Sequence, residues 1–245
     1  MIGHIEALYR YPVKSMAGER LEAADLGWHG IEGDRRLAVR KLEDRGGFPF
    51  LIASKLAELL LFTPVRHEDA SEGALPSHVR MPGGQELAIL GDELAAEIAR
   101  RHGSPVQMMH MRQGIFDDAS ISVISGDTVQ EVCRLASVPP DVRRFRPNIL
   151  VRLQHEAAFQ EDAWVGGELT FGAGEAAPSI AVTQRDVRCS MVNLDPDTAR
   201  PAPEVMKAVV RANQNNAGVY GTVTRAGRLT VGQSIFLRFA NASGR

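Results

Sequence analysis

The chain has 245 residues, 24% of them charged and 44% hydrophobic, and a formal net charge of −2. That length suffices for one large or two modest domains with a real core, and the balanced, scattered charge points away from disorder and from a nucleic-acid footprint. No apolar run approaches the roughly 20 residues that cross a bilayer, Met1–Glu6 carries no secretory pattern, and two cysteines build no disulfide framework, so a soluble cytoplasmic protein without membrane or nucleic-acid partners is expected.

Glycine (23) and proline (13) punctuate many short segments, which is the rhythm of a strand-rich protein. Residues 2–11 alternate as a half-buried strand that Pro12 ends. Strands are expected over 20–26 and 35–42, followed by a turn at Arg45-Gly46-Gly47 leading into Phe48–Ile52. Ser54 is expected to cap a short helix reaching Leu61. A second hairpin begins near Val79–Gln85. Gly91-Asp92 opens a helix with Leu94, Ala95 and Ile98 at helical spacing, and Gly103 stops it. A strand over Pro105–Met111 follows, and the turn Gly114–Asp118 marks the expected domain boundary. Beyond it come a strand over 119–125 and a helix that buries Val129, Val132, Cys133 and Ala136. Further strands are expected at Asn148–Leu153, Glu168–Phe171 and Ser179–Gln184. Glu204–Asn213 reads as a helix, and Gly218–Arg225 with Leu229–Phe239 as a closing hairpin.

Chemistry concentrates around Cys189. It follows an alternating strand, has Arg185 and Arg188 nearby, and precedes the rigid Asp195-Pro196-Asp197 turn. Cationic neighbours favour a thiolate, so this residue can ligate a metal, carry sulfur or simply pack. Cys133 is expected in the core. The seven histidines show no metal-binding spacing, and the patterns of serine hydrolases and nucleotide triphosphatases are missing. Anion-binding groups instead recur at strand ends and turns: Lys14 and Ser15, Arg35, Ser125 and Thr128 at a helix start, then Arg146 and Asn148.

Tyr11-Pro12-Val13-Lys14-Ser15, Gly33-Asp34-Arg35, Arg144-Phe145-Arg146-Pro147-Asn148, Arg188-Cys189 and Asp195-Pro196-Asp197-Thr198 follow one another in an order that resembles MOSC proteins with an N-terminal MOSC-associated barrel. The resemblance spans Ile2 to about Phe239, and the functional kin it suggests are the mitochondrial amidoxime reducing component and its bacterial relatives. It implies a mainly β (α+β) fold: an N-terminal barrel-like β domain over 1–113, a MOSC β-barrel with a few short helices over 114–240, and a tail over 241–245. It also implies a molybdenum cofactor with a single pyranopterin of the molybdopterin type, its metal ligated by Cys189. Phosphate and pterin contacts would fall on Lys14, Ser15, Arg35, Ser125, Thr128, Arg146, Asn148, Arg188 and Tyr220. The implied activity is reduction of N-hydroxylated compounds by N–O cleavage. No cysteine-rich ferredoxin segment follows, so electrons are expected from a separate protein of ferredoxin, flavodoxin or cytochrome type. The chain departs from the family at Ala53-Ser54-Lys55, at Met191–Asn193 and at Ala199. Two other roles compatible with Cys189 are a sulfur or cofactor carrier and a non-catalytic binding protein that kept the barrel.

Overall fold

The computed structural model describes residues 1–66, 75–116 and 118–239; the expected tail at 241–245 and Asp117 of the boundary turn lie outside them. Seven strands close into a barrel: β1 (Gly3–Arg10), β2 (Ile121–Ser125), β3 (Ile149–Leu153), β4 (Gly167–Phe171), β5 (Ser179–Val187), β6 (Asn216–Arg225) and β7 (Ser234–Phe239). Around the ring the order is β1-β3-β2-β6-β5-β4-β7 and back to β1. The fold is therefore mainly β, with three α-helices among the described residues.

Alternation explains what fills the barrel. In β1 a register shift between Ile5 and Ala7 turns Ile5 and Leu8 to the interior while Ala7 faces outward. Inside they meet Ile121, Val123, Val151, Phe171, Val182 and Ile235, all at most 2% exposed. The strands β2 and β3 run parallel, so a crossover must join them, and helix α1 of this half (Gly126–Ala136) supplies part of it. That helix and the helix Glu204–Asn213 cover the barrel's outer face through Val129, Val132, Val205 and Val209. Cys133 lies in this layer, fully buried, and burial pushes its thiol pKa up, as expected of a core cysteine.

A second core lies in the N-terminal half, built on Val39, Leu59, Phe62, Val79 and Met108. The helix Asp92–His102 packs Leu94 and Ile98 onto it and ends at Gly103, whose φ of 82° suits glycine. Strand β1, although it comes first in the chain, belongs to the seven-stranded ring.

Four local expectations need correction. Ser54 caps no helix: a 3-10 turn over Ala57–Leu61 begins after Leu56 without any side-chain cap. Phe48–Ile52 forms a bridge at Phe50 to Arg40 and no named strand, since Pro49 has no N–H to offer a ladder. The strand expected over 20–26 is two, Glu19–Leu21 on β1 and Ala23–Gly27 on Gly227–Thr230. The closing hairpin does not form either. Gly227–Thr230 leaves the barrel to pair with Ala23–Gly27, and after Gly232 (φ 84°) β7 returns to pair with β4 and β1. Among the described residues no helix is long and apolar enough to cross a membrane.

Candidate functional site

A cavity of about 310 Å³ opens where the loop after β1, the loop before Leu37–Lys41, the turn at 142–146 and the end of β5 converge. Lys14 and Ser15 border it from the first loop and Arg35 from the second. Backbone bonds sew these loops together: the Lys14 amide donates to the Leu37 carbonyl at 2.8 Å and the Arg35 amide to the Tyr11 carbonyl at 2.7 Å. Ser15 (φ 68°), Arg35 (φ 51°) and Arg146 (φ 51°) all stand in the left-handed region. Three side-chain-bearing residues held there around one cavity represent stored backbone strain, which clusters at functional sites.

The arginines are fixed from behind. Arg35 donates to the carboxylate of Asp34 and, at 3.1 Å, to the Arg146 carbonyl. Burial opposes its charge, but Asp34 beside it holds the guanidinium pKa above its ordinary value. Arg146 donates to the Met16 carbonyl at 2.7 Å. Both guanidinium groups stack on the buried Tyr11 ring, 4.9 Å (Arg35) and 4.1 Å (Arg146) from its centroid. Burial pushes the Tyr11 hydroxyl well above the ordinary tyrosine range. Arg188 donates to the carbonyls of Ala217 and Phe145, each at 2.7 Å, and pairs with Asp186 at 2.8 Å.

Cys189 is exposed and borders the same cavity, just beyond β5 and ahead of the 3-10 turn Ser190–Asn193. Arg185 points elsewhere, to Asp162 at 3.5 Å, so of the two arginines expected beside the thiol only Arg188 lines the cavity. Met191 and Val192 form an apolar flank with Ile52 and Phe145. Arg144 braces this flank by donating to Asp195 at 2.7 Å, while Arg143 clasps Asp197 at 2.6 Å. Asp195 is thus a structural turn residue that also accepts the amides of Asp197 and Thr198.

Of the residues singled out in the sequence, Lys14, Ser15, Arg35, Arg146, Arg188, Cys189 and Tyr220 come together at the cavity. Asn148 stands one layer back, donating to Asp34 at 3.1 Å and to the Tyr9 carbonyl at 3.3 Å, so it orients the partner of Arg35. Ser125 and Thr128 do not reach the cavity. Both are fully buried, and the Ser125 amide and hydroxyl donate to the carboxylate of Glu161 at 3.2 and 3.0 Å. The group that fills this helix start is the protein's own carboxyl side chain, whose pKa burial pushes up.

Sequence reading missed Asp186 and Ser122 as cavity residues, and Arg144, quoted there only within its donor motif, also lines the cavity. Asp186 is 1% exposed; its Oδ2 accepts from the Ser122 hydroxyl at 2.9 Å and is ion-paired with Arg188 at 2.8 Å. Burial pushes its pKa up to about 6, against the pull of Arg188, Ser122, Tyr220 and Arg35. Alternation did not mark it, because Gln184, in phase with the buried Ile180 and Val182, is exposed and register shifts intervene before Asp186.

A closed β-barrel flanked by a second small β core places one exposed thiol and four arginines around a single cavity, the architecture of a two-part barrel protein. The MOSC domain family matches residues 93–236 and the MOSC N-terminal beta barrel domain matches residues 2–120, so the chain belongs to the MOSC family. Among solved structures it is similar to the YuaD protein of Bacillus subtilis, with 16% identity over 96% of this chain and 94% of that one and a TM-score of 0.52. YiiM of Geobacillus stearothermophilus aligns over 49% of this chain and 54% of its own, with 17% identity and a TM-score of 0.38. A comparison with curated proteins finds no match.

MOSC domains are associated with molybdenum-cofactor binding, and the donor set here fits such a group. Lys14, Arg35, Arg144, Arg146 and Arg188 line the cavity against two carboxylates, Asp118 and Asp186, which suits a phosphate. The Nε of Arg144 is buried with no hydrogen-bond partner among the described residues, a donor left over for a ligand. Among the described residues no cluster of three or more His, Cys, Asp or Glu side chains assembles.

Proposed function

We propose that this protein is a molybdenum-cofactor-dependent reductase of N-hydroxylated compounds, taking its electrons from a separate carrier protein. The carrying observation is the meeting of Cys189 with five cationic side chains in one cavity. Cys189 would be the thiolate ligand, and Lys14, Ser15, Arg35, Arg146 and Arg188 would hold the phosphate and pterin, with Asn148 steadying Asp34 behind Arg35. The bound group would supply the two-electron redox chemistry that no side chain of the chain provides. Ile52, Phe145, Met191 and Val192 give the cavity an apolar wall that suits the body of an aryl or alkyl amidoxime or hydroxylamine. Of the family departures at Met191–Asn193, Met191 and Val192 fall on this wall, where they would tune which substrate fits.

The test uses protein made in a cofactor-competent host. Molybdenum should bind stoichiometrically, and a simple amidoxime should be converted to the amidine with a chemically reduced donor. Cys189→Ala should lose the metal and the turnover together; equal rates in the two proteins would refute the reading. Exposure of Cys189 favours one alternative, a sulfur carrier, and sulfane sulfur on Cys189 without molybdenum would establish it.

A further inference from the structure

Asp186 is a buried carboxylate placed in the cavity wall with more capacity than its structural duties use. Arg188 and Ser122 both engage Oδ2, whereas Oδ1 is buried without a hydrogen-bond partner among the described residues. Arg188 would also stay anchored through the two carbonyls it already holds. Tyr220, on the neighbouring strand β6 and in register with Ser122 of β2, is only half-buried, and it borders both the main cavity and a small adjoining one beside Arg35 and Ser122. The carboxyl and the Tyr220 phenol thus border the same space where substrate would lie.

We infer that Asp186 and Tyr220 form a proton-delivery pair for the oxygen that leaves an N-hydroxylated substrate, an inference that rests on the function proposed above. Reductive N–O cleavage consumes two electrons, from the carrier protein, and two protons; nitrogen is reduced and oxygen departs as water. Tyr220 gives its hydroxyl proton to the leaving oxygen and recovers one from the Asp186 carboxyl, which reloads from solvent as the second proton enters by the same path. The charged groups facing Asp186 are Arg188 from its own strand end and Arg35 from the loop before Leu37–Lys41, with the Ser122 and Tyr220 hydroxyls on β2 and β6. Burial outweighs the pull of these groups and leaves the carboxyl titrating at about 6, where it can both hold and release a proton near neutral pH.

Two readouts test the pair. Infrared titration of the apoprotein should show a carboxyl protonating near pH 6 that is absent in Asp186→Asn and displaced in Tyr220→Phe. In the loaded protein, kcat should fall as pH rises through that value, and both variants should lose about 10²-fold or more in kcat with KM and molybdenum content kept and the pH dependence flattened. Asp186→Glu should restore part of the rate. No titrating carboxyl near that pH, or an unchanged pH profile in Asp186→Asn and Tyr220→Phe, overturns the inference while leaving the reductase reading intact. A molybdenum-loaded wild type that turns over no N-hydroxylated compound overturns both. Should Asp186→Asn fail to fold, Tyr220→Phe carries the same decision.

Discussion

Gly218 holds its backbone at φ 88°, and a Cβ there would stand 2.7 Å from the Val123 carbonyl oxygen and 3.2 Å from the Arg188 guanidinium. Neither neighbour can yield cheaply, because one is barrel backbone and the other is pinned between two carbonyls and Asp186. Gly218→Ala should therefore cost about 1–3 kcal/mol of stability, read by denaturant unfolding, and should lower cofactor retention by displacing Arg188. A variant as stable as the wild type would show that the strand gives way more easily than this geometry implies. At the same scale, the site's cationic half was legible in short motifs, because Lys14, Arg35, Arg146 and Arg188 sit at strand ends and turns where a cation has no apolar face to serve. Asp186 was not. The strand carrying it was expected to stop at Gln184, where alternation fades, yet β5 runs on to Val187 through register shifts at Val182/Gln184 and Arg185/Val187. Those shifts are properties of the pairing with β6, which no local pattern encodes.

The helix Gly126–Ala136 shows the same division between what is local and what is not. Its start was readable, since Ser125 accepts from the Thr128 amide at 3.1 Å as an N-cap should. Its occupant was not, because Glu161 arrives from a 3-10 turn 36 residues later, entered through Phe159 at φ 61°. Burial pushes the Glu161 pKa up, and hydrogen bonds from Ser125 and Thr128 oppose that rise. Ser125→Ala should thus remove about 1 kcal/mol of stability while leaving molybdenum content unchanged. Loss of cofactor at full stability in that variant would restore Ser125 to the phosphate cradle.

Across the whole molecule, chain order and spatial order disagree at β1, and that disagreement determines which parts can fold alone. The opening strand pairs with β3 on one side and with β7 and Glu19–Leu21 on the other, and it places Ile5 and Leu8 in the barrel interior. The loop that leaves it delivers Lys14 and Ser15 to the cavity, so ring closure and site assembly depend on one segment. A fragment beginning at the sequence-based boundary near residue 114 would expose the free edges of β3 and β7 and open the core between them. It should be insoluble or molten, binding a hydrophobic dye and lacking a cooperative thermal transition. Returning residues 1–16 through a linker from the C-terminus should restore cooperative unfolding, because β1 would regain both neighbours without the rest of the N-terminal half. If the fragment instead unfolds cooperatively alone, the barrel can close without β1, and the dependence of the site on the first strand would reduce to the positions of Lys14 and Ser15.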